Sequence, residues 1–405
     1  MDLTKKKVAI FTFARSEYGL LRWIIEEVEK SDHLDLRLFV GGAHLSRSHG
    51  LSYNDILKEG MKINYILDFL IDRDDPSALS KSVGVAVISI SQIFSYDKPD
   101  IIVILGDRYE LYSVAINAIL FNIPIVHIAG GEVTLGAIDE QIRHSITKVS
   151  HIHVVSTEEY ALNVSRMGEE DWRIHILGSP GIENIYKMRL KDPAEIKDEL
   201  GVDITQPTIL VTYHPVTLEK RISTVEQVNN LLDALDHFKD FQIIFTAPGA
   251  EIEYGVVLDK IKEFVSTRKK AYLFYNLGSN LYLSIMKHSK AVVGNSSSGI
   301  IEAPSLKVPT VNIGDRQKGR IAAESVIHCG YSKDEIIKGI EKAIYDQKFL
   351  EIVRNVKNPY DPYGDGNFSG RLVKVINNLE INERLLRKEL DFEVKPHLWN
   401  SLLKE

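Results

Sequence analysis

Short runs of β-branched and aliphatic residues alternate along the chain with longer segments whose apolar positions recur every three or four residues. The runs KVAIFTF (7–13), DLRLFVG (35–41), IIVILG (101–106), PIVHIAG (124–130) and IHVVS (152–156) are almost continuously apolar. Strands covered on both faces have that pattern. Between them the spacing predicts helices over 18–30, 77–96, 109–121 and 140–149. In the last of these, Ile142, Ile146 and Val149 fall at helical intervals. A second series repeats the scheme, with strands at 208–214, 241–248, 271–276, 291–295 and 309–314. Helices are expected near 223–238, 252–266, 281–288, 298–306 and 333–347, and 369–389 reads as a long charged helix with a polar tail.

Such β-α alternation implies a parallel sheet with helices on both sides, here twice over. The expected fold class is α/β, with two Rossmann-like, doubly wound domains facing a cleft. The first domain is expected over 1–185 and the second over 186–375, joined near GSPGIENIYK (178–187), with 376–405 as C-terminal helix and tail. Ligands of such folds bind at the carboxyl ends of the strands.

Composition narrows the classes. The 405 residues are too many for one core, and 44% hydrophobic with 26% charged residues is a globular profile. A net charge of −7 gives no general attraction to nucleic acid or to an anionic membrane, so neither is expected as a partner. An anionic ligand would need a local cluster of arginines. The single cysteine, Cys329, excludes an internal disulfide framework and fits a reducing compartment. The start, MDLTKKKVAIFTFARSEYG, lacks a small-residue cleavage site after its apolar run and reads as a first buried strand, not a signal peptide. No apolar run approaches the ~18 residues of a membrane helix. A cytoplasmic location is the expectation.

Charge and glycine collect where the strands end. The first strand runs into Ala14-Arg15-Ser16-Glu17, the second into Gly41-Gly42-Ala43-His44, IIVILG into Asp107-Arg108, and PIVHIAGG into Glu132. In the second series, TILVTY runs into His214-Pro215, AVVG into Asn295-Ser296-Ser297-Ser298-Gly299, and PTVNIG into Asp315-Arg316-Gln317-Lys318-Gly319-Arg320. Seven such junctions point to a ligand site. The GNSSSG segment opens an apparent helix, so its N–H groups and hydroxyls suit a diphosphate; plain helix capping by serine is the alternative. Glu302, a turn further on, could accept hydrogen bonds from ribose hydroxyls or be a solvated helix residue. Arg15, Arg108, Arg316 and Arg320 are the candidate counter-charges for phosphate. No metal ligand set of the CxxC or HExxH kind is present. The absence of GxGxxG, GxxxxGK[ST] and GxSxG argues against a nicotinamide enzyme, a P-loop NTPase and a serine hydrolase.

Taken in order, GDR, HIAGGE, AIDEQIRHSITK, HPV, GNSSSG, GDRQKGR and YGDGN resemble the hydrolysing UDP-N-acetylglucosamine 2-epimerases of bacterial sialic-type acid synthesis. The resemblance covers the chain to about residue 375. It implies the GT-B-like pair of Rossmann domains and no metal or redox cofactor. It also implies that UDP lies against the second domain, its diphosphate held by Ser296 and Ser297 with Arg15 and Arg316, with His214 near the phosphates and Glu302 on the ribose; Asn295 and Arg320 are further substrate-binding candidates. The sugar then faces Asp107, Glu132, Asp139 and His127 as acid–base candidates, with His44, Arg108 and Arg143 around it. Association into dimers or tetramers is a further implication. The implied reaction turns UDP-N-acetylglucosamine into N-acetylmannosamine and UDP. The alternative substrate is UDP-N,N′-diacetylbacillosamine, used in legionaminic acid synthesis. Many members read H-I-E-G-G-E where this chain has Ala129, and the EVTLGAID loop looks one residue longer than usual. A small residue there could make room for a 4-acetamido group. A non-catalytic nucleotide-sugar-binding protein is the third reading.

Overall fold

The computed structural model describes residues 5–47, 50–73, 75–134, 138–216, 219, 221–248 and 253–391. Its strands are β1 (Lys6–Thr12), β2 (Leu34–Gly41), β3 (Tyr65–Leu67), β4 (Ile101–Leu105), β5 (Ile125–Ile128), β6 (Ile152–Val155) and β7 (Ile174–Ile176) in the first half. The second half holds β8 (Thr208–Thr212), β9 (Gln242–Thr246), β10 (Ala271–Phe274), β11 (Ala291–Gly294), β12 (Thr310–Ile313) and β13 (Val326–Cys329). The first seven form one sheet in the order β3-β2-β1-β4-β5-β6-β7, the other six a second sheet in the order β10-β9-β8-β11-β12-β13. The ladders are parallel. Both sheets therefore reverse winding direction beside their first strand, between β1 and β4 and between β8 and β11, as doubly wound nucleotide-binding sheets do.

β1, β4, β8 and β11 are buried along nearly their whole length because helices cover both faces of each sheet. The first sheet has a core on each side: Val8, Ile10, Ile101, Val103 and Val126 face one, and Ala9, Phe11, Ile102, Ile104 and Ile125 the other. β3, β7 and β13 were not visible in the sequence pattern. All three are short, and β3, β7 and β13 lie at sheet edges, where few residues are covered.

Several expectations change. The helix expected over 298–306 is one turn, Ser298–Ile301, because Pro304 has no N–H to donate and its ring clashes with the preceding turn. The long C-terminal helix is two pieces, Phe368–Asn378 and Glu383–Leu386. Phe368, Leu372, Ile376 and Leu385 complete the core of the first domain, and the ammonium of Lys6 donates to the carbonyls of Ile376 and Leu379 at 2.8 and 2.7 Å. The chain thus returns to the first domain from Phe368 onward, and a boundary after 375 cuts through this helix. The helix Pro180–Lys187 packs on Arg15–Lys30 of the first domain, so it straddles the expected join at 185. Finally, Pro76–Tyr96 is long and apolar enough to cross a membrane by length and composition, although polar residues interrupt its apolar run. It is a layer helix: Ala86, Ile90, Ile93 and Phe94 pack under the first sheet.

Candidate active site

The switch points of the two sheets bring the candidate residues to one cleft. β1 leads into Arg15, the first residue of the helix Arg15–Lys30, and β4 leads into Gly106-Asp107. Opposite them, β8 runs out at His214 and β11 at Asn295. Gly294 makes the second pair possible. Its φ is 136°, and a Cβ there would stand 2.0 Å from the carbonyl oxygen of Thr212.

On the first domain, Arg143 organises the acids. This arginine is 1% exposed, yet donates to the carboxylates of Asp107 and Glu140, the Glu132 carbonyl at 2.8 Å and the Thr134 hydroxyl at 2.7 Å. A buried guanidinium with that many acceptors is a scaffold for the loop between β5 and the next helix. Asp139 opens that helix, Asp139–Val149. Burial first, and the neighbouring Asp107 carboxylate second, push the Asp139 carboxyl up; the charges of Arg143 and Arg316 pull the other way. A first-domain acid therefore feels a second-domain guanidinium across the cleft. Residues 135–137, and with them the question of the longer loop, lie outside the described residues.

On the second domain, the Asn295 amide clamps the backbone of His214, accepting from its N–H at 2.7 Å and donating to its carbonyl at 2.8 Å. The Asn295 carbonyl accepts from Arg316 at 3.2 Å and from Gln317 at 2.9 Å. The Ser296 hydroxyl lies 3.0 Å from that of Ser298, which in turn meets the Tyr282 hydroxyl at 2.5 Å. Ser297 caps the single helical turn through its carbonyl, which accepts from Ile300 and Ile301. One turn carries little macrodipole, so the hydroxyls and Arg316 are the stronger anion grip.

The domains meet along a polar seam. Glu132 Oε2 lies 3.4 Å from Arg320 Nη2, and Glu132 Oε1 accepts from Ser156 at 3.1 Å. Beneath them the hydroxyls of Tyr160 and Tyr360 are 2.8 Å apart, and Tyr360 donates to the Ile321 carbonyl at 3.0 Å. Glu302 sits against the start of Pro180–Lys187: a Cβ at Gly181 would be 2.7 Å from its Oε1. Its Oε2 is buried without a hydrogen-bond partner among the described residues, and burial pushes the carboxyl up to about 7. Arg15 reaches toward the second domain, with its Nη2 3.6 Å from where a Gly278 Cβ would be.

Five candidates have roles other than those expected. His127 is fully buried, its Nε2 2.7 Å from the Gly106 carbonyl and its Nδ1 3.3 Å from the Thr147 hydroxyl; burial pushes its ring down to about 3. It braces the turn that carries Asp107. His44 is equally buried between the Thr12 and Ser52 hydroxyls at 2.9 and 2.8 Å, and burial pushes it down to about 4. Arg108 turns inward to Glu110 at 2.6 Å and Glu17 at 3.7 Å. Arg143 and Asn295 position other residues from within the protein. Sequence reasoning missed Glu140, Tyr160, Tyr360 and Tyr282. Only Glu140 carried a signal, lying three residues before Arg143 on one helix.

Two Rossmann-like domains whose switch points face each other across a polar seam make this a GT-B-like architecture. The family model described as UDP-N-acetylglucosamine 2-epimerase matches residues 26–377, and the chain belongs to that enzyme family. It is 39% identical to the GDP/UDP-N,N′-diacetylbacillosamine 2-epimerase (hydrolyzing) of Campylobacter jejuni, covering 96% of this chain and 100% of that one. It is 38% identical to the polysialic acid biosynthesis protein P7 of Escherichia coli, over 88% of this chain and 90% of the relative. Its fold matches that of the Neisseria meningitidis UDP-GlcNAc 2-epimerase solved with UDP-GlcNAc, with a TM-score of 0.76 and 18% identity over 92% of this chain and 99% of that one.

Proposed function

We propose that the protein is a hydrolysing 2-epimerase that converts UDP-N-acetylglucosamine to N-acetylmannosamine and UDP. The observation that carries this reading is the pairing of Asp107 with an Asp139 whose carboxyl is pushed up, across from Arg316. Two neighbouring carboxyls held differently can divide proton removal from proton delivery. One takes the C2 proton, the C2–H electrons form the C1=C2 double bond, and the C1–O bond breaks with its electrons on UDP. Water then adds hydroxyl to C1 and a proton to the opposite face of C2, giving the free epimer. Arg15, Arg316 and the Ser296 and Ser297 hydroxyls are assigned to the diphosphate, where charge builds as it departs. Glu302, with its unpartnered oxygen, is assigned to the ribose hydroxyls. Glu132 and Arg320 hold the seam closed around the sugar, and His214 is assigned to the phosphate side.

Ala129 favours a second substrate, UDP-N,N′-diacetylbacillosamine. It holds a left-handed backbone, with φ 67°, and offers only a methyl group where many relatives carry a glutamate. The 39% identical relative is named for that sugar. Turnover of both UDP sugars by wild type and by Ala129→Glu tests the choice. Preference for the diacetamido sugar, shifted toward UDP-N-acetylglucosamine in the variant, favours the second reading; no shift favours the first.

A self-associating protein is part of the proposal. Val85, Ile88, Tyr112, Ile116, Ile119 and Leu120 are exposed on the adjacent helices Pro76–Tyr96 and Leu111–Leu120, whose only charged residue is Lys81. An apolar face of that extent, with one lysine beside it, suits a second copy of the chain.

A further inference from the structure

A cavity of about 800 Å³ lies behind the segment Gly314–Arg320, at the carboxyl ends of β12 and β13, and its walls include Asn312, Asp315, Gln317, His328, Tyr331 and Glu335. None of Asp107, Glu132 and Asp139 lines it, and Arg320 of the seam forms part of its wall. Its volume is within the range of small-molecule sites.

Two of its walls carry buried amides with half their hydrogen bonding unmet. Asn312 is 2% exposed and Gln317 3%, and Asn312 Oδ1 and Gln317 Oε1 have no hydrogen-bond partner among the described residues. The orientation of the Gln317 amide follows from its other end. Its nitrogen donates to the Asn295 carbonyl at 2.9 Å, and turning the amide over would set oxygen against oxygen. Asn312 Nδ2 donates to the Gly314 carbonyl at 3.5 Å, which sets that amide the same way, and lies 3.2 Å from His328 Nδ1, whose role follows the ring tautomer. Both amide positions are thus acceptors, and buried acceptors demand donors; the wall residue Arg320 adds one buried donor, its Nε, without a partner among the described residues. The charges around the cavity balance among themselves: Arg221 bridges Glu219 and Asp315 at 2.6 and 2.9 Å, and Lys318 lies 3.7 Å from Asp315. Arg320, also in the wall, has Glu132 3.4 Å from its Nη2, so a nucleotide or a free phosphate would meet cations already matched by carboxylates and would face the Glu335 carboxylate.

We propose that this cavity binds an uncharged, donor-rich amide sugar, the chemical class of the free product, and that its occupancy is felt at the diphosphate loop. This rests on the function proposed above for the identity of the sugar, not for the cavity itself. The connection is short. Gln317 lines the cavity and shares the Asn295 carbonyl with Arg316, while the Asn295 side chain holds the His214 backbone. A sugar that donates to Gln317 Oε1 therefore bears on the arginine assigned to the diphosphate.

The test uses the full-length protein saturated with UDP, so that the cleft is blocked, and follows N-acetylmannosamine binding by saturation-transfer NMR and calorimetry. One sugar per chain is expected to bind. Asn312→Leu, which removes an acceptor and fills space, and Glu335→Arg, an exposed change that lays a long side chain across the rim, should each weaken it at least tenfold. Turnover measured without added sugar should stay within twofold of wild type in Glu335→Arg. No sugar binding to the UDP-saturated protein, or binding unchanged in Glu335→Arg, overturns the proposal. Variant-sensitive binding by a protein that releases no sugar from UDP-N-acetylglucosamine would sustain the cavity and fail the function instead.

Discussion

The carboxylate of Glu132 and the guanidinium of Arg320 face each other at 3.4 Å, one from each domain, with side chains only 10% and 12% exposed. The pair spans the cleft beside the acids. Truncating one partner strands the other charge in a low-dielectric seam, which costs on the order of 3 kcal/mol. Arg320→Leu is expected to lower the chemical-denaturation stability by that order and to cut kcat/KM more than tenfold. Arg320→Leu with Glu132→Leu should recover stability without recovering turnover. A single variant with wild-type stability would show that the bridge does not hold the domains.

Asp107 and Asp139 are assigned to proton transfer, so their loss should spare binding. Asp107→Asn and Asp139→Asn are each expected to reduce kcat by about 100-fold or more while the UDP dissociation constant stays within twofold. Calorimetry with UDP and a free-sugar assay separate the two effects. Unchanged turnover in both variants would leave a nucleotide-sugar-binding protein as the better account.

Glu302 makes the pH dependence specific. Burial pushes its folded-state carboxyl up to about 7 from the ordinary 4.5. The folded protein therefore binds a proton that the unfolded chain releases, and this stabilisation is complete below about pH 4.5 and lost as pH rises through about 7. Glu302→Gln should remove that part of the dependence, and the thermal midpoint of the variant should exceed wild type above pH 7. Ribose hydroxyls that donate to the carboxylate would favour its charged form. UDP binding at pH 7 should then release about half a proton, measured as a buffer-dependent enthalpy, and none in Glu302→Gln. Equal proton release in both proteins would remove Glu302 from the ribose.

His127 should remain neutral. With burial pushing it down to about 3, its ring signals are expected not to titrate between pH 8 and pH 5. A midpoint near 6.5 would place the ring in solvent and restore it as an acid–base candidate.

The strand ends were legible in the sequence because covered parallel strands are nearly all apolar, so Asp107, His214 and Asn295 stand out where the apolar run stops. What each polar residue does there was not legible. Arg143 reads as one more cation on a helix, and only the fold reveals that its guanidinium is buried among four acceptors. His44 and His127 look like ligand residues for the same reason; burial between hydroxyls and a carbonyl is a tertiary fact. The return of Phe368–Asn378 to the first domain was hidden because its apolar face, Phe368, Leu372 and Ile376, does not say which core it joins. The edge strands β3, β7 and β13 were lost to their shortness.

The exposed apolar face predicts its own disruption. Ile119→Glu with Leu120→Glu places two carboxylates in the middle of it. Sedimentation velocity is expected to show wild type as a dimer or larger and the variant as a monomer. A wild-type monomer at micromolar concentration would remove the second copy from the account.

The central claim is elimination followed by hydration with inversion at C2, and deuterium reports on it directly. The protein is incubated with UDP-N-acetylglucosamine in D2O and the proton spectrum followed, with UDP-N,N′-diacetylbacillosamine in a parallel tube. The account predicts UDP together with a free sugar epimerised at C2 and carrying deuterium there. Free sugar that keeps its C2 proton would contradict the elimination route, and no release of UDP from either substrate would contradict the function.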